Sequence, residues 1–383
     1  MIPLLTIPPV KPAKRSILCH RNLLLQIKIV FAGSFSTDSN NAWSKNGKFE
    51  NCNGLFPPPL RHREQPSQPE ESEQVPDWLL PLSIFWFQLP DFYPSRSIFL
   101  VGRYCFCLEL LSSMKSCVTI SLVSALRGGP WILWDDLSKS IQSAASLGYD
   151  SVELFTEGPD AGNPGELESL LKETNLTLGA VGTGAGKVLR GLSLTDPSKD
   201  IRDQARAFIG EMIVFGARFG APAIIGSMQG SHGGDVSREE ALGWLAEALE
   251  DLGDTSAAAG VKLIYEPLNR YETNLFNRFT EAADFLDDLS TKGVTLLADL
   301  FHMNIEEADI SATLREGVRH LGHVHFADSN RRPVGCGHTE MNPIAETLKS
   351  LGYEGCISAE AFAWPDPEAA AKQTIDSYRK YFG

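Results

Sequence analysis

The chain has 383 residues, of which 43% are hydrophobic and 21% charged, a globular composition that excludes a fibrous or wholly disordered chain. Its 34 basic and 48 acidic side chains give a net charge of −14, which argues against general nucleic-acid binding, because that needs a basic footprint. The seven cysteines (19, 52, 105, 107, 117, 336 and 356) form no CxxC pair, and so odd and sparse a set fits free thiols in a reducing compartment; a cytoplasmic location is expected.

Residues 1–113 differ from the rest. They hold 13 of the 23 prolines and a net charge of +2, which leaves −16 on the remaining 270 residues. No sustained hydrophobic period runs through them, and Pro57-Pro58-Pro59 is followed by a polar run over 61–74. The apolar patch at 78–89 is broken by Pro81 and is too short to span a bilayer, so no membrane contact is expected. Residues 1–37 lack acids and carry several Lys and Arg, as targeting segments do, but Lys28 interrupts the apolar run that a cleavable signal needs. The expectation is a poorly structured N-terminal extension or a mis-assigned start, with the functional protein beginning at Met114.

From Met114 short β-branched runs alternate with amphipathic ones. In chain order the pattern predicts a strand at 118–123, a helix at 134–147, strands at 151–155 and 176–181, a helix at 200–219 and a strand at 223–226. A helix at 238–259, a strand at 261–266 and a helix at 280–289 follow. The pattern closes with strands at 294–299 and 323–327, a helix at 344–351, a strand at 356–360 and a helix at 367–381. Eight strand-then-helix units over 114–383 are the arithmetic of an α/β (β/α)8 TIM barrel. An open doubly wound sheet alternates in the same way. The glycine run from Gly182 to Gly186 lacks the last glycine of a dinucleotide fingerprint, since Lys187 stands there, and Val188 rules out a Walker pattern. It reads as a strand-to-helix loop with close backbone packing.

In such a barrel the C-terminal ends of the strands carry the chemistry. Strand five ends at Glu266, strand six at Asp299 with His302 three residues on, strand seven carries His325 near its end, and strand eight ends at Glu360. Oxygen donors with one imidazole suit a divalent ion of the Mn²⁺, Mg²⁺ or Co²⁺ type better than a structural zinc. Glu266, Asp299, His325 and Glu360 are therefore the expected metal ligands. His323 lies deeper on the same strand face and reads as a hydrogen-bonded core histidine. His320, His232 and His338 read as surface or loop residues. Trp131 and Trp134 suit either an apolar wall over a ligand or core packing, and the glycine-rich loop 226–234 either holds a hydroxyl or a phosphate on its backbone N–H groups or hinges a lid.

These residues bring a family into view. Residues 265–274 (YEPLNRYETN), 299–307 (DLFHMNIEE), 323–332 (HVHFADSNRR) followed by GCGH at 335–338, and 358–362 (SAEAF) resemble motifs of the ketose 3-epimerases, the D-tagatose and D-psicose 3-epimerase group. The likeness extends, over 114–383, to the wider sugar phosphate isomerase/epimerase superfamily of xylose isomerase-like barrels. It implies an isomerase with Glu266 and Glu360 as the acid/base pair and Glu272, His302 and Arg331 as substrate contacts. It also implies a divalent cofactor, Mn²⁺ first, a small sugar as substrate, and a homo-oligomer, dimer or tetramer. The implied chemistry inverts the carbon next to a ketone: a proton leaves one face, a cis-enediolate forms, and a proton returns to the other face. The rival readings are an aldose–ketose type isomerase such as a hydroxypyruvate isomerase, an apurinic-site endonuclease, and a sugar-binding protein that has lost activity. The endonuclease would need extra histidines on early strands, where strands two to four end instead in Glu153-Leu-Phe, Gly-Thr-Gly and Gly-Ser-Met.

Overall fold

Parallel strands buried on both faces need near-continuous apolar runs, and the strands of this chain have them. The computed structural model describes residues 114–383, apart from 135, 161 and 162, together with three strands further upstream. The barrel strands are β1 Lys115–Ser121, β2 Ser151–Phe155, β3 Thr177–Gly182, β4 Ala223–Ile225, β5 Leu263–Tyr265, β6 Val294–Asp299, β7 Leu321–His325 and β8 Cys356–Ala359. Each pairs in parallel with the next, and β8 returns to β1 with Cys356 opposite Lys115 and Ser358 opposite Cys117. The (β/α)8 barrel expected from the alternation is therefore closed. A two-residue strand, Leu133–Trp134, adds to the end of β1.

Helices cover the outside, and their ends follow local chemistry. Arg238–Ala258 opens with a capping box, in which the Ser237 hydroxyl accepts from the Glu240 amide at 3.2 Å and the Glu240 carboxylate accepts from the Ser237 amide at 3.0 Å. Leu137–Leu147 starts on Asp136 and ends on Gly148, whose φ of 80° is a left-handed cap that glycine adopts without strain. Helices at Pro164–Thr174, Ala185–Arg190, Leu300–Glu306 and Ile310–Glu316 are additional to those read from the pattern. Three of them have six or seven residues, too few for a helical period to emerge.

Side-chain alternation sorts the barrel interior from its wall. Val118, Ile120, Val152, Leu154, Leu263, Tyr265, Leu296, Ala298, Val324, Ile357 and Ala359 join the main core beneath the helices. The alternate residues face inward. On β3 to β6 they include Ala180, Ile224, Ile264 and Leu297, a separate apolar cluster. On β1, β2, β7 and β8 the inward positions hold Cys117, Thr119, Glu153, His323 and Ser358, all buried. Thus one half of the interior is apolar and the other polar.

The upstream strands Ile84–Gln88, Arg96–Val101 and Tyr104–Glu109 form an antiparallel sheet, with Ile84 opposite Val101 and Arg96 opposite Glu109. No element was expected there, and the remainder of the N-terminal extension lies outside the described residues. Two units divide the chain, Met1–Ser112 and Ser113–Gly383. Among the described residues no helix is long and apolar enough to cross a membrane.

Candidate active site

The inward alternation of β5 to β8 delivers Asp299 and His325 at the last positions of β6 and β7, and Glu266 and Glu360 one step past β5 and β8, to one rim. Donor atoms of these four residues all lie within 4.8 Å of one another. His325 Nδ1 stands 3.6 Å from Glu266 Oε1, 3.4 Å from Asp299 Oδ2 and 3.5 Å from Glu360 Oε2. The four residues expected as metal ligands are thus together, in a group able to hold a cation.

Local structure aims each of them. The Glu266 amide donates to Ile225 O at 3.0 Å, and its carbonyl accepts from Gln229 Nε2 at 2.9 Å. Gly226 lies beneath its carboxylate, where a Cβ would meet Glu266 Oε2 at 2.6 Å, so only glycine permits this approach. Asp299 caps the helix Leu300–Glu306, with Oδ1 accepting from the amides of Phe301 (2.8 Å) and His302 (3.3 Å), which leaves Oδ2 for the site. Glu266 Oε1, Asp299 Oδ2 and His325 Nδ1 are buried with no hydrogen-bond partner.

Burial pushes the Glu266 carboxyl up to about 8, and the nearby Glu360 and Asp299 charges add to the rise against the pull of His325. Burial likewise raises Glu360, against the opposing pull of Arg331 and His325. Burial also acts to raise Asp299, but His302, His325 and Arg331 outweigh it and hold Asp299 well below the usual carboxylate range. For His325 burial favours the neutral ring, yet Glu153, Glu360 and Asp299 outweigh it and raise its proton affinity well above the ordinary value.

The expected substrate contacts surround this group. His302 is buried, and burial lowers its proton affinity, so the ring is neutral. Its Nδ1 lies 3.3 Å from the Asn269 backbone N–H and 2.7 Å from Asn269 Nδ2, and its Nε2 lies 3.3 Å from Arg331 Nη1, 3.6 Å from Asp299 Oδ2 and 3.8 Å from Glu266 Oε1. Arg331 is buried too; it pairs with Glu360 through one terminal nitrogen and lies 3.7 Å from Glu272 through the other. Its backbone φ of 57° is left-handed, a costly conformation for a side chain of this size, and the loop around Asp328 enforces it. The Asp328 carboxylate accepts from the amides of Ser329, Gly335, Gly337 and Thr339 at 2.8–3.0 Å. Glu272 stands at the mouth and accepts from Asn269 Nδ2 at 2.9 Å.

These residues open into a cavity of about 460 Å³ whose apolar lining includes Trp131, Phe155, Val188, Leu268, Phe301 and Phe362. Trp131 lies on Phe155 with ring centroids 4.1 Å apart, and Trp134 supports it edge-on at 5.6 Å. Of the two tryptophans, Trp131 lines the cavity and Trp134 backs it. Gly182 fits against the Phe155 ring, where a Cβ would come within 2.7 Å, so the glycine run is the close-packed loop that was expected. The loop 226–234 is tied down rather than loose: Gln229 Nε2 bonds two carbonyls, and Thr273 Oγ1 donates to Gly230 O at 2.8 Å. His232 and His338 are not among the lining residues, and His320 bonds Asp287 at 2.7 Å away from the site. His323 is the buried, hydrogen-bonded core histidine expected, with Glu153 as its partner at 2.9 Å. Two polar residues of the site were not singled out from sequence, Glu153 and Asn269. Glu153 left a signal, being the one charge in a fully buried strand.

Comparison with known proteins places this fold. The family model for xylose isomerase-like TIM barrels matches residues 141–381. An L-ribulose 3-epimerase from Mesorhizobium japonicum is 26% identical over 234 residues, covering 60% of this chain and 76% of that protein. An L-ribulose 3-epimerase from a Methylomonas species is 30% identical over 246 residues, covering 62% of this chain and 84% of that protein. A crystal structure of D-psicose 3-epimerase with D-tagatose from Clostridium cellulolyticum H10 superposes with a TM-score of 0.60 at 23% identity, over 70% of this chain and 99% of that one. The chain belongs to the xylose isomerase-like TIM barrel family. Within it, the chain is an enzyme of the carbohydrate isomerase type, and its curated relatives include ketose 3-epimerases.

Proposed function

We propose that the chain is a metal-dependent ketose epimerase, inverting the carbon next to the ketone of an unphosphorylated sugar. One observation carries this reading: Glu266, Asp299, His325 and Glu360 converge while three of their buried atoms, Glu266 Oε1, Asp299 Oδ2 and His325 Nδ1, lack partners. Buried polar atoms are nearly always paired, so such a cluster calls for a cation. Its oxygen-rich donor set with one imidazole fits Mn²⁺, with Mg²⁺ and Co²⁺ as alternatives.

When bound, the ion supplies Lewis acidity that makes the proton beside the ketone easier to remove. Glu266 and Glu360, three strands apart around the rim, serve as the two bases. One takes the proton from one face of the carbon, and the other returns a proton to the opposite face. Burial, which raises the proton affinity of both carboxyls in the cation-free site, opposes the ion's tendency to hold them ionised. Arg331 donates its guanidinium N–H to sugar oxygens as negative charge develops there, and the neutral His302 contacts the sugar beside it. Glu272 accepts from a hydroxyl at the mouth, and the apolar wall excludes water.

Charge supports a free sugar. Glu153, Glu266, Glu272 and Glu360 line the cavity, against Arg331 as the permanent cation among the lining residues. A phosphate would meet net repulsion there. The volume of about 460 Å³ suits a five- or six-carbon ketose better than a three-carbon keto acid, which favours epimerisation over hydroxypyruvate isomerisation. The net charge of −14 and the absence of lining histidines from β1 to β4 weigh against an endonuclease. The free thiols of Cys117, Cys336 and Cys356 fit a cytoplasmic enzyme. Relatives of this kind lead us to expect a dimer or tetramer, which light scattering would measure.

The test is incubation with tagatose, fructose and hydroxypyruvate in heavy water with added Mn²⁺, followed by NMR. Deuterium at C3 of a ketose with formation of its C3 epimer is the expected result. Exchange into hydroxypyruvate alone, or into nothing, would overturn the reading.

A further inference from the structure

Glu153 is the one charge in β2, a strand whose five residues are all buried, and it lies in the interior layer below the rim. A carboxylate in that position is costly unless it is paired and hydrogen-bonded. Its two oxygens go to two different rings. Oε2 meets His323 Nε2 at 2.9 Å, and Oε1 meets His325 Nε2 at 3.2 Å. Register puts the two histidines on successive inward positions of β7, with His323 beside Leu297 and His325 beside Asp299. Their rings stand nearly perpendicular, at 81° with centroids 5.4 Å apart.

The division of partners matters. A carboxylate accepts only, so the His325 nitrogen facing Glu153 must carry a proton. That leaves the opposite nitrogen, Nδ1, for the three carboxylates of the rim. The buried atoms without partners tell the same story. They include Glu266 Oε1, Asp299 Oδ2 and His325 Nδ1, whereas neither Glu153 oxygen, nor His323 Nε2, nor His325 Nε2 is among them. The donor atoms of Glu153, His323 and His325 also lie within 4.8 Å of one another, but that cluster is already satisfied by its own hydrogen bonds.

We infer that Glu153 is a positioning residue for the cation site. It fixes the proton of His325 on Nε2 and the azimuth of the ring, so that Nδ1 is presented as a ligand, while His323 anchors the second oxygen of Glu153. A carboxylate behind a ligating imidazole holds the ring and raises its basicity. The inference rests on the reading of the rim cluster as a cation site.

The test uses the full chain, titrated calorimetrically with Mn²⁺, and ¹⁵N NMR of the histidines in the Mg²⁺-loaded protein. E153Q, which keeps the volume, should weaken Mn²⁺ binding about 10- to 100-fold, and E153D, which keeps the charge, should recover part of it. In the unmutated protein His325 should show a protonated Nε2 and an unprotonated Nδ1, a readout that does not depend on any variant folding. A protonated Nδ1 in the loaded protein, or E153Q binding Mn²⁺ as tightly as the parent, would overturn the inference. So would two Mn²⁺ per chain with one lost in E153Q, which would make the lower cluster a metal site itself. If the parent binds no Mn²⁺ at all, the rim reading fails and takes the inference with it, whereas Mn²⁺ binding with a protonated Nδ1 overturns the inference alone.

Discussion

Changing pH with and without a divalent ion tests the electrostatics of the rim most directly. In the cation-free protein Glu266 holds its proton up to about 8, mainly because it is buried. An unfolded glutamate has released its proton long before that. Between about pH 5 and pH 8 the folded chain therefore binds more protons than the unfolded one, and stability must fall as pH rises. The gap from an ordinary glutamate to about 8 corresponds to on the order of 4–5 kcal/mol across that window. Glu360, also raised, and His325, whose proton is lost as pH climbs, act with the same sign. His302 opposes them, because its lowered proton affinity favours the fold as pH passes the ordinary histidine range. Glu153 and Asp299, both depressed, contribute a constant amount above about pH 5 and lose it only in acid. A cation must displace the Glu266 proton and the one on His325 Nδ1. From Glu266 alone its affinity should be about 100-fold weaker at pH 6 than above pH 8. Calorimetry with Mg²⁺ in buffers of different ionisation enthalpy should show release of one to two protons near pH 6.5. Thermal unfolding of the chelated protein should give a lower midpoint at pH 8 than at pH 5.5, with the largest cation-induced rise at pH 8. A pH-independent affinity with no proton release would refute the reasoning.

Two further outcomes follow from the packing. Tyr265 is fully buried, and its hydroxyl donates to Gln229 Oε1 at 2.7 Å. Tyr265→Phe strands that oxygen and should cost about 1–3 kcal/mol in urea unfolding with an unchanged m-value; a loss below about 0.5 kcal/mol would show that water or a rearranged Gln229 replaces the bond. A chain shortened to begin at Met114 should retain fold, cation affinity and activity, since β1 starts at Lys115 and the carbonyl that accepts from Tyr378 is Met114's own. Loss of cation binding in a folded shortened chain would mean that the upstream residues take part in the site.

What could be read from the sequence depended on how far apart the interacting partners lie. Acids at the ends of apolar runs betray themselves locally: Glu266 follows Leu263–Tyr265, and Asp299 ends Val294–Asp299. Alternation along one strand was enough to rank His325 above His323. Glu153 carries the same kind of signal but sits mid-strand, and its partners are 170 and 172 residues away, so its role emerges only when the barrel closes. Asn269 is similar: nothing local says that its amide meets the ring of a histidine 33 residues on. The strain at Arg331 was invisible because a positive φ is imposed by the bonds of Asp328 to four amides, not by the identity of residue 331. The short helices escaped for want of length, and the upstream strands for want of a period among the prolines.

The interior asymmetry of the barrel follows from charge balance. Three rim carboxylates in one buried cluster cannot all be ionised without compensation. Arg331, paired with Glu360 and 3.6 Å from Asp299, offsets part of that charge. The proton on Glu266 offsets more while no cation is present. His325 supplies the rest as an imidazolium; in the proposed cation site it would give up its Nδ1 proton, and its basicity would then have to be sustained from behind. That need places an acid in the layer below, and an acid there needs a second donor, which is His323. The polar residues of β2 and β7 are thus one connected requirement of the rim. On β3 to β6 the corresponding layer carries no such demand and packs as Ala180, Ile224, Ile264 and Leu297, giving the rim an apolar floor.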